Sequence, residues 1–74
     1  MPEQTVKTPM RARVIRFHFQ KGVAVKADAR VCDIEAMKME VPIMSPAGGT
    51  IKEIHATAGQ TVEAGDPLFT VESP

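Results

Sequence analysis

The sequence predicts an all-β sandwich or barrel made of two copies of one supersecondary unit. Three observations favour this fold class. Short apolar segments alternate with turn signals about every 8–12 residues, and the second half of the chain aligns with the first. The alignment also excludes a helix in the one segment whose composition favours it. The chain has 74 residues and a mass of 8.0 kDa, so we expect a single domain over residues 1–74.

An internal repeat relates the two halves of the chain. A constant shift of 37 positions aligns residues 8–36 with residues 45–73 without a gap, and His18 falls on His55. Two copies of one unit are expected to be related by a pseudo-twofold axis. The same shift carries position 38 onto the chain ends, so we expect Lys38 at one pole of the molecule and the termini together at the opposite pole.

Residues 23–41 taken alone predict a helix, because they contain no proline or glycine and are rich in helix formers. The repeat argues against it. Residues 28–30 align with the Gly-Asp-Pro turn cluster at 65–67, which would break a helix. Asp28 stands where Gly65 stands, and aspartate is among the few residues that tolerate the left-handed backbone of such a turn.

The alternation of apolar segments and turn signals predicts eight strands. Similar or identical residues, aligned by the shift of 37 positions, relate the first half of this pattern to the second. The predicted strands are residues 5–8, 13–19, 23–26, 31–36, 39–44, 50–56, 60–63 and 68–72. The linking pairs are Thr8 with Ser45, Val14 with Ile51, Phe17 with Ile54, Val25 with Val62, Val31 with Leu68 and Ile34 with Val71.

Alternation is clearest in the fourth and fifth strands, on either side of Met37 and Lys38. A two-residue turn at these positions requires positive φ, which neither methionine nor lysine favours, so we expect the two residues to serve another purpose. The turn would pair Ala36 with Met39, Glu35 with Glu40 and Ile34 with Val41. The expected apolar face carries Cys32, Ile34 and Ala36 before the turn and Met39, Val41 and Ile43 after it, with Asp33 and Glu35 on the opposite face.

Composition excludes several classes of function. Nine basic and nine acidic side chains cancel and the pI is near 6.7, which argues against a nucleic-acid binder that works through general positive charge. One cysteine excludes an internal disulfide framework and a cysteine-built zinc site. No apolar run approaches the roughly 18 residues of a membrane helix, and the N-terminus lacks a signal-peptide core. We therefore expect a small, reduced, cytoplasmic module without membrane insertion.

The remaining chemically interesting side chains are expected to be structural. His18 and His55 have no third ligand nearby in the sequence, which favours structural roles over a metal site. Cys32 is expected in the core, because no base that would activate a nucleophile is identifiable. Three closely spaced arginines are expected to guard strand edges, with a basic patch for a partner subunit as the alternative; they are Arg11, Arg13 and Arg16.

Residues 35–40 read Glu-Ala-Met-Lys-Met-Glu. This segment resembles the attachment motif of biotinyl carrier domains, the biotin carboxyl carrier family, in which a lysine between two methionines receives biotin as an amide on its ε-nitrogen. The similarity covers about residues 6–72 and includes segments 45–51 and 59–68. Lipoyl domains share the architecture but usually have Asp-Lys-Ala at the turn, and this chain has no aspartate beside Lys38.

The resemblance implies a flattened barrel or sandwich of two four-stranded antiparallel sheets with Lys38 on an exposed hairpin. Because the repeat has no gap, we expect the protruding thumb loop of some family members to be absent. Lys38 would hold covalent biotin, with Met37, Met39 and Ala36 beside it, although Met39 could equally be a core residue. Glu35 and Glu40, which the segment 35–40 also contains, are candidates for ligase recognition, the alternative being ordinary solvated charges.

The resemblance also implies a function without catalysis by the chain itself. A biotin protein ligase would biotinylate Lys38, and the chain would carry carboxybiotin from a biotin carboxylase to a carboxyltransferase within a carboxylase, transcarboxylase or decarboxylase. Acylation needs the neutral amine, which is about one in a thousand of free lysines at pH 7, so the ligase must help to deprotonate Lys38. Two alternatives remain: a lipoyl carrier of an oxidative dehydrogenase complex, and an unmodified interaction or assembly module.

Overall fold

A computed structural model describes residues 2–74. Its eight strands are β1 (Glu3–Lys7), β2 (Ala12–Phe17), β3 (Ala24–Val25), β4 (Arg30–Ala36), β5 (Met39–Met44), β6 (Gly49–Ile54), β7 (Thr61–Val62) and β8 (Pro67–Glu72). Every predicted strand is confirmed within two residues at either end, and this part of the chain contains no helix. Residues 2–74 accordingly include no helix with the length and hydrophobicity that a bilayer crossing requires.

The strands form two four-stranded antiparallel sheets, in the orders β1-β8-β6-β3 and β5-β4-β2-β7. The repeat shift converts β1 into β5, β2 into β6, β3 into β7 and β4 into β8. Applied to the first order, this exchange yields the second. The predicted pseudo-twofold symmetry is therefore a property of the hydrogen-bonded sheets as well as of the sequence.

The two predicted left-handed turns are also present. Asp28 has a φ of 67° and its equivalent Gly65 has a φ of 88°. The amide of Asp28 donates to the Ser45 carbonyl at 2.9 Å, and the amide of Gly65 donates to the Thr8 carbonyl at the same distance. Aspartate thus adopts in one half the backbone that glycine adopts in the other, which explains why the helix suggested by local composition does not form.

The inner faces of both sheets bury one apolar core, as expected for two packed sheets. Its largest side chains are Phe69, Ile34, Ile51 and Leu68, each with no solvent exposure. Cys32 is fully buried in the same core, as predicted. Burial, with a smaller contribution from neighbouring Asp33, raises the pKa of its thiol to about 11.

The molecule measures 36 × 18 × 17 Å. Strand β1 pairs with β8, and the amide of Ser73 donates to the Pro2 carbonyl at 2.9 Å. The repeat shift maps this junction onto the turn at residues 37–38. Pro2 and Ser73, one near each end of the chain, therefore lie together, as the repeat predicts. The connection at 18–23 is as long as its equivalent at 55–60, so no thumb-like insertion separates β2 from β3.

Candidate functional site

The β4–β5 hairpin ends in the tight turn that the sequence predicts. Ala36 pairs with Met39, and the two residues between them both have left-handed backbones, with φ of 52° at Met37 and 65° at Lys38. Positive φ at both central positions is the signature of a type I′ turn and costs roughly 1–2 kcal/mol for each non-glycine residue. The β4–β5 pairs nearest the turn, from Cys32 with Ile43 to Ala36 with Met39, are in unbroken register and hold the turn in this strained form.

The turn projects its side chains into solvent. Met37 is 91% exposed, Met39 is 68% exposed and Lys38 is exposed between them, whereas Ala36 is buried at the base of the turn. Ion pairs engage other lysines, but within residues 2–74 the Lys38 amine contacts no carboxylate and forms no hydrogen bond. An amine held on a rigid turn with no competing partner is suited to covalent attachment of a group.

Met39 departs from the prediction that it continues a buried apolar face. Among the three residues of β5 that were predicted to face the core, exposure falls with distance from the turn, from 68% at Met39 through half-buried Val41 to 9% at Ile43. Strand β5 lies at the edge of its sheet and Met39 is its first residue, so it has few neighbours to cover it. Only the later part of the predicted apolar face reaches the core.

An ionic cluster lies on the outer face of β2, β4 and β5; it consists of the buried carboxylate of Asp33 and the partly exposed side chains of Arg16, His18, Arg30 and Glu40. The Asp33 side chain has no solvent exposure because three side chains cover it. Its Oδ2 accepts from Arg16 Nη1 at 2.5 Å and bonds His18 Nε2 at 2.8 Å, while its Oδ1 accepts from Arg30 Nε at 2.6 Å. Glu40 Oε1 accepts from Arg16 at 3.1 Å, which links the cluster to the second residue after Lys38.

The predicted structural role of the two histidines agrees with these contacts. His18 bonds Asp33 in the first half, and at the equivalent place His55 Nε2 bonds Thr70 Oγ1 at 2.7 Å. The alternation of residues places Asp33 on the outer face, but it does not predict the ionic cluster. The sequence contains one indication of the cluster. His18 aligns with His55, and the partner of His55, Thr70, aligns with the carboxylate Asp33.

Glu35 and Glu40 face each other across the hairpin, as predicted, and each has its own cationic partner. Arg13 lies 3.6 Å from Glu35, and Arg16 lies 3.1 Å from Glu40. These ion pairs offset the like-charge repulsion that suggested a further role for the two carboxylates. Arg11 likewise lies 3.2 Å from Glu63. Arg11, Arg13 and Arg16 are therefore all paired with carboxylates, which argues against a free basic patch. The prediction that they guard strand edges is wrong for Arg13 and Arg16, because β2 lies between β4 and β7 in its sheet.

The ionisation of Asp33 is set by opposing effects. Burial raises the pKa of this carboxyl, but hydrogen bonds from Arg30, His18 and Arg16 outweigh burial and lower the pKa from 3.8 to about 2. A carboxylate whose pKa is lower in the folded state stabilises the fold above its unfolded pKa. That stabilisation is lost as the pH falls towards the folded pKa.

We therefore expect acid to remove the stabilisation that Asp33 provides. We compare the free energy of unfolding of the native protein with that of Asp33→Asn. The difference between the two should shrink by roughly 2 kcal/mol as the pH is lowered from about 5 to about 2. Urea unfolding followed by far-UV circular dichroism measures both proteins at each pH. A difference that stays constant over this range would contradict the prediction.

A groove of about 550 Å³ lies elsewhere, beside the C-terminal residues. None of the residues predicted for attachment or ligase recognition lines it; the lining residues are Ala24, Val25, Gly48, Gly49, Thr50, Glu72, Ser73 and Pro74. The predicted site is therefore a protruding turn and not a cleft.

Comparison with known proteins places this architecture in a family. Residues 4–71 match the biotin/lipoyl family model described as "Biotin-requiring enzyme". The chain is 37% identical over 67 residues to the biotin carboxyl carrier protein of Streptococcus mutans, covering 90% of this chain and 52% of that protein. It is 40% identical over 72 residues to the human mitochondrial dihydrolipoyllysine-residue succinyltransferase component of the 2-oxoglutarate dehydrogenase complex, covering 90% of this chain and 16% of that protein.

Solved structures agree with both the fold and the family. The chain superposes with a TM-score of 0.90 and 26% identity on a single-chain, multi-domain long-chain acyl-CoA carboxylase, covering 97% of this chain and 7% of that one. The chain thus spans about half the length of one curated relative and a small part of the larger ones. It belongs to the biotin/lipoyl family of non-catalytic carrier domains.

Proposed function

We propose that residues 1–74 form one biotin carboxyl carrier domain whose Lys38 is biotinylated by a biotin protein ligase. The observation that carries this proposal is an exposed lysine amine, without a partner among residues 2–74, on a strained two-residue turn between two exposed methionines. Because neither central residue of this turn is glycine or asparagine, its backbone is strained, and such strain is common at functional sites. A requirement for lysine as the attachment residue would explain why Lys38 stands at a position where glycine or asparagine would be less strained.

Each part of the hairpin has a distinct role in this proposal. The β4–β5 pairing fixes the turn, Met37 and Met39 present apolar surface on either side of the amine, and Lys38 supplies the nitrogen of the amide. Attached biotin supplies the ability to accept a carboxyl group at one active site and to release it at another. The lysine side chain serves as a tether, which makes each delivery intramolecular at an effective concentration of order mM.

The proposed partners are a biotin carboxylase and a carboxyltransferase. Support comes from the relatives, since one is named a biotin carboxyl carrier protein and the superposed chain is a multi-domain acyl-CoA carboxylase. The cytoplasmic location expected from composition belongs to the same proposal. Glu35 and Glu40 remain candidates for ligase contact, although their ion pairs with arginines provide a structural reason for both.

A lipoyl carrier is the second candidate, favoured by the 40% identity to the dihydrolipoyllysine-residue succinyltransferase component. The residues at the turn favour biotin, because the Met-Lys-Met sequence matches the biotinyl motif and lacks the Asp-Lys-Ala typical of lipoyl domains. An unmodified assembly module is the third candidate.

The test is to offer the chain both cofactors. The purified chain is incubated with biotin protein ligase, ATP and biotin, and separately with a lipoate-attaching ligase, ATP and lipoate; intact mass spectrometry then reports the product. We expect one biotin per chain and little or no lipoate. Lipoylation with no biotinylation would establish the second candidate, and no modification by either ligase would favour the third.

A further inference from the structure

The two methionines beside Lys38 are the most exposed methionines in the described chain. Met37 is 91% exposed and Met39 68%, against 44% for Met44 and 38% for Met10. An apolar side chain that is almost fully exposed gives the fold little packing energy. Chemical change at these two sulfurs therefore leaves the core intact and alters only the surface around the lysine.

Thioethers of this kind react with hydroperoxides. One oxygen atom passes from the peroxide to the sulfur as the O–O bond breaks, so that hydrogen peroxide becomes water and the sulfur is oxidised by two electrons to a sulfoxide. Cys32 does not compete at neutral pH, because it is fully buried and burial raises the pKa of its thiol to about 11. The exposed methionines are thus the accessible oxidisable groups among residues 2–74.

We propose that Met37 and Met39 form a modification site, at which oxidation by hydroperoxides to sulfoxides switches off acceptance of biotin by Lys38. This inference rests on the proposed function and deepens it by naming a form of regulation. A ligase that encloses the Lys38 amine must contact the side chains that precede and follow it, since all three occupy one tight turn. A sulfoxide at that contact introduces a polar oxygen that loses its water and gains no assured partner.

The same geometry makes the modification reversible without unfolding. Met37 and Met39 lie outside the buried core, so the oxidised chain keeps its two sheets. Their exposure also leaves the sulfoxides open to methionine sulfoxide reductases, which restore the thioether. Loss and recovery of acceptor activity should therefore occur with unchanged far-UV circular dichroism.

The experiment treats the unbiotinylated chain with hydrogen peroxide and measures kcat/KM for biotin protein ligase. Peptide mass spectrometry follows oxidation at each methionine. We expect Met37 and Met39 to oxidise before Met10 and Met44, and kcat/KM to fall roughly tenfold or more as they do. Reduction by methionine sulfoxide reductases A and B should restore the starting value.

Two variants locate the effect. Met10→Leu/Met44→Leu keeps the two turn methionines and should lose activity on oxidation as the native chain does. In Met37→Leu/Met39→Leu, the ratio of kcat/KM before and after peroxide should stay near one. If that variant is too poor a substrate to measure, the loss in oxidised Met10→Leu/Met44→Leu and its reversal by the reductases exclude Met10 and Met44 as the cause. An unchanged kcat/KM after stoichiometric oxidation of Met37 and Met39, or a loss that the reductases do not reverse, overturns the inference.

The same experiment gives different results if the proposed function is wrong and if only the oxidation inference is wrong. If the chain carries no biotin, the untreated protein is not a substrate at all. If only the inference fails, the untreated protein is a good substrate and the oxidised protein is equally good. The untreated chain therefore serves as the control that separates the two.

Discussion

Replacing Lys38 with arginine should abolish biotinylation and leave the fold unchanged. Arginine keeps the positive charge and the exposed aliphatic stem, so the turn meets no new steric or electrostatic cost. Its guanidinium stays protonated at every pH that the protein tolerates and offers no neutral amine for acylation. Intact mass spectrometry after reaction with ligase, ATP and biotin should show only unmodified Lys38→Arg chain.

Lys26→Arg is the matched control, because Lys26 is also exposed but lies outside the turn. We expect this variant to be biotinylated at the native rate, and both variants to give the native circular dichroism spectrum. Full labelling of Lys38→Arg would place the attachment on another of the five lysines and contradict the site assignment.

Replacing Asp33 with alanine should produce the largest loss of stability among the charged residues. The substitution removes the acceptor that Arg16, His18 and Arg30 share. Removing one partner of a buried ion pair costs about 3–5 kcal/mol when the remaining charge stays buried. The two guanidinium groups are half-exposed and can turn towards water, so we expect a loss of about 2–3 kcal/mol.

That loss is large for a chain of this size. A stability of about 0.05–0.15 kcal/mol per residue gives roughly 4–11 kcal/mol in total, and each kcal/mol corresponds to about 4–8 °C in Tm. We expect Asp33→Ala to lower Tm by about 10–20 °C. The chain contains no tryptophan or tyrosine, so far-UV circular dichroism is the appropriate probe.

Two further variants make this measurement specific. Glu53→Ala removes a half-exposed carboxylate that lies 3.0 Å from Lys21, and should change stability by less than about 0.5 kcal/mol. Asp33→Thr copies the equivalent Thr70 and can keep the bond to His18, so it should be intermediate between native and Asp33→Ala. A Tm for Asp33→Ala close to that of Glu53→Ala would show that the cluster contributes little.

Much of the fold could be predicted because its signals lie in the order of residues along the chain. The gapless repeat indicated that Asp28 takes the backbone of Gly65, and this excluded a helix that composition alone favoured. The turn at Met37 and Lys38 followed from alternation on either side of it. These signals depend on local backbone preference and spacing, which do not require knowledge of contacts between distant strands.

The ionic cluster could not be predicted in this way, because it depends on an irregularity in strand pairing. Between Val14 and Arg16 the register of β2 against β4 shifts, so Arg16 and not Ile15 lies opposite Asp33. The equivalent shift between Ile51 and Glu53 occurs in the other half. A pattern of alternating residues cannot locate such a bulge, since the extra residue changes which side chains face one another.

The sequence by itself determined the eight strands, their two-fold arrangement and the lysine at a tight turn. The repeat spacing and the turn preferences can both be recognised from the order of residues, without knowledge of contacts in space. Only the tertiary structure decided which polar groups are buried and how far the apolar face extends. Asp33 is enclosed and Met39 is exposed. The physical reason is that burial depends on what packs above a residue, and those neighbours come from strands that are distant in the chain.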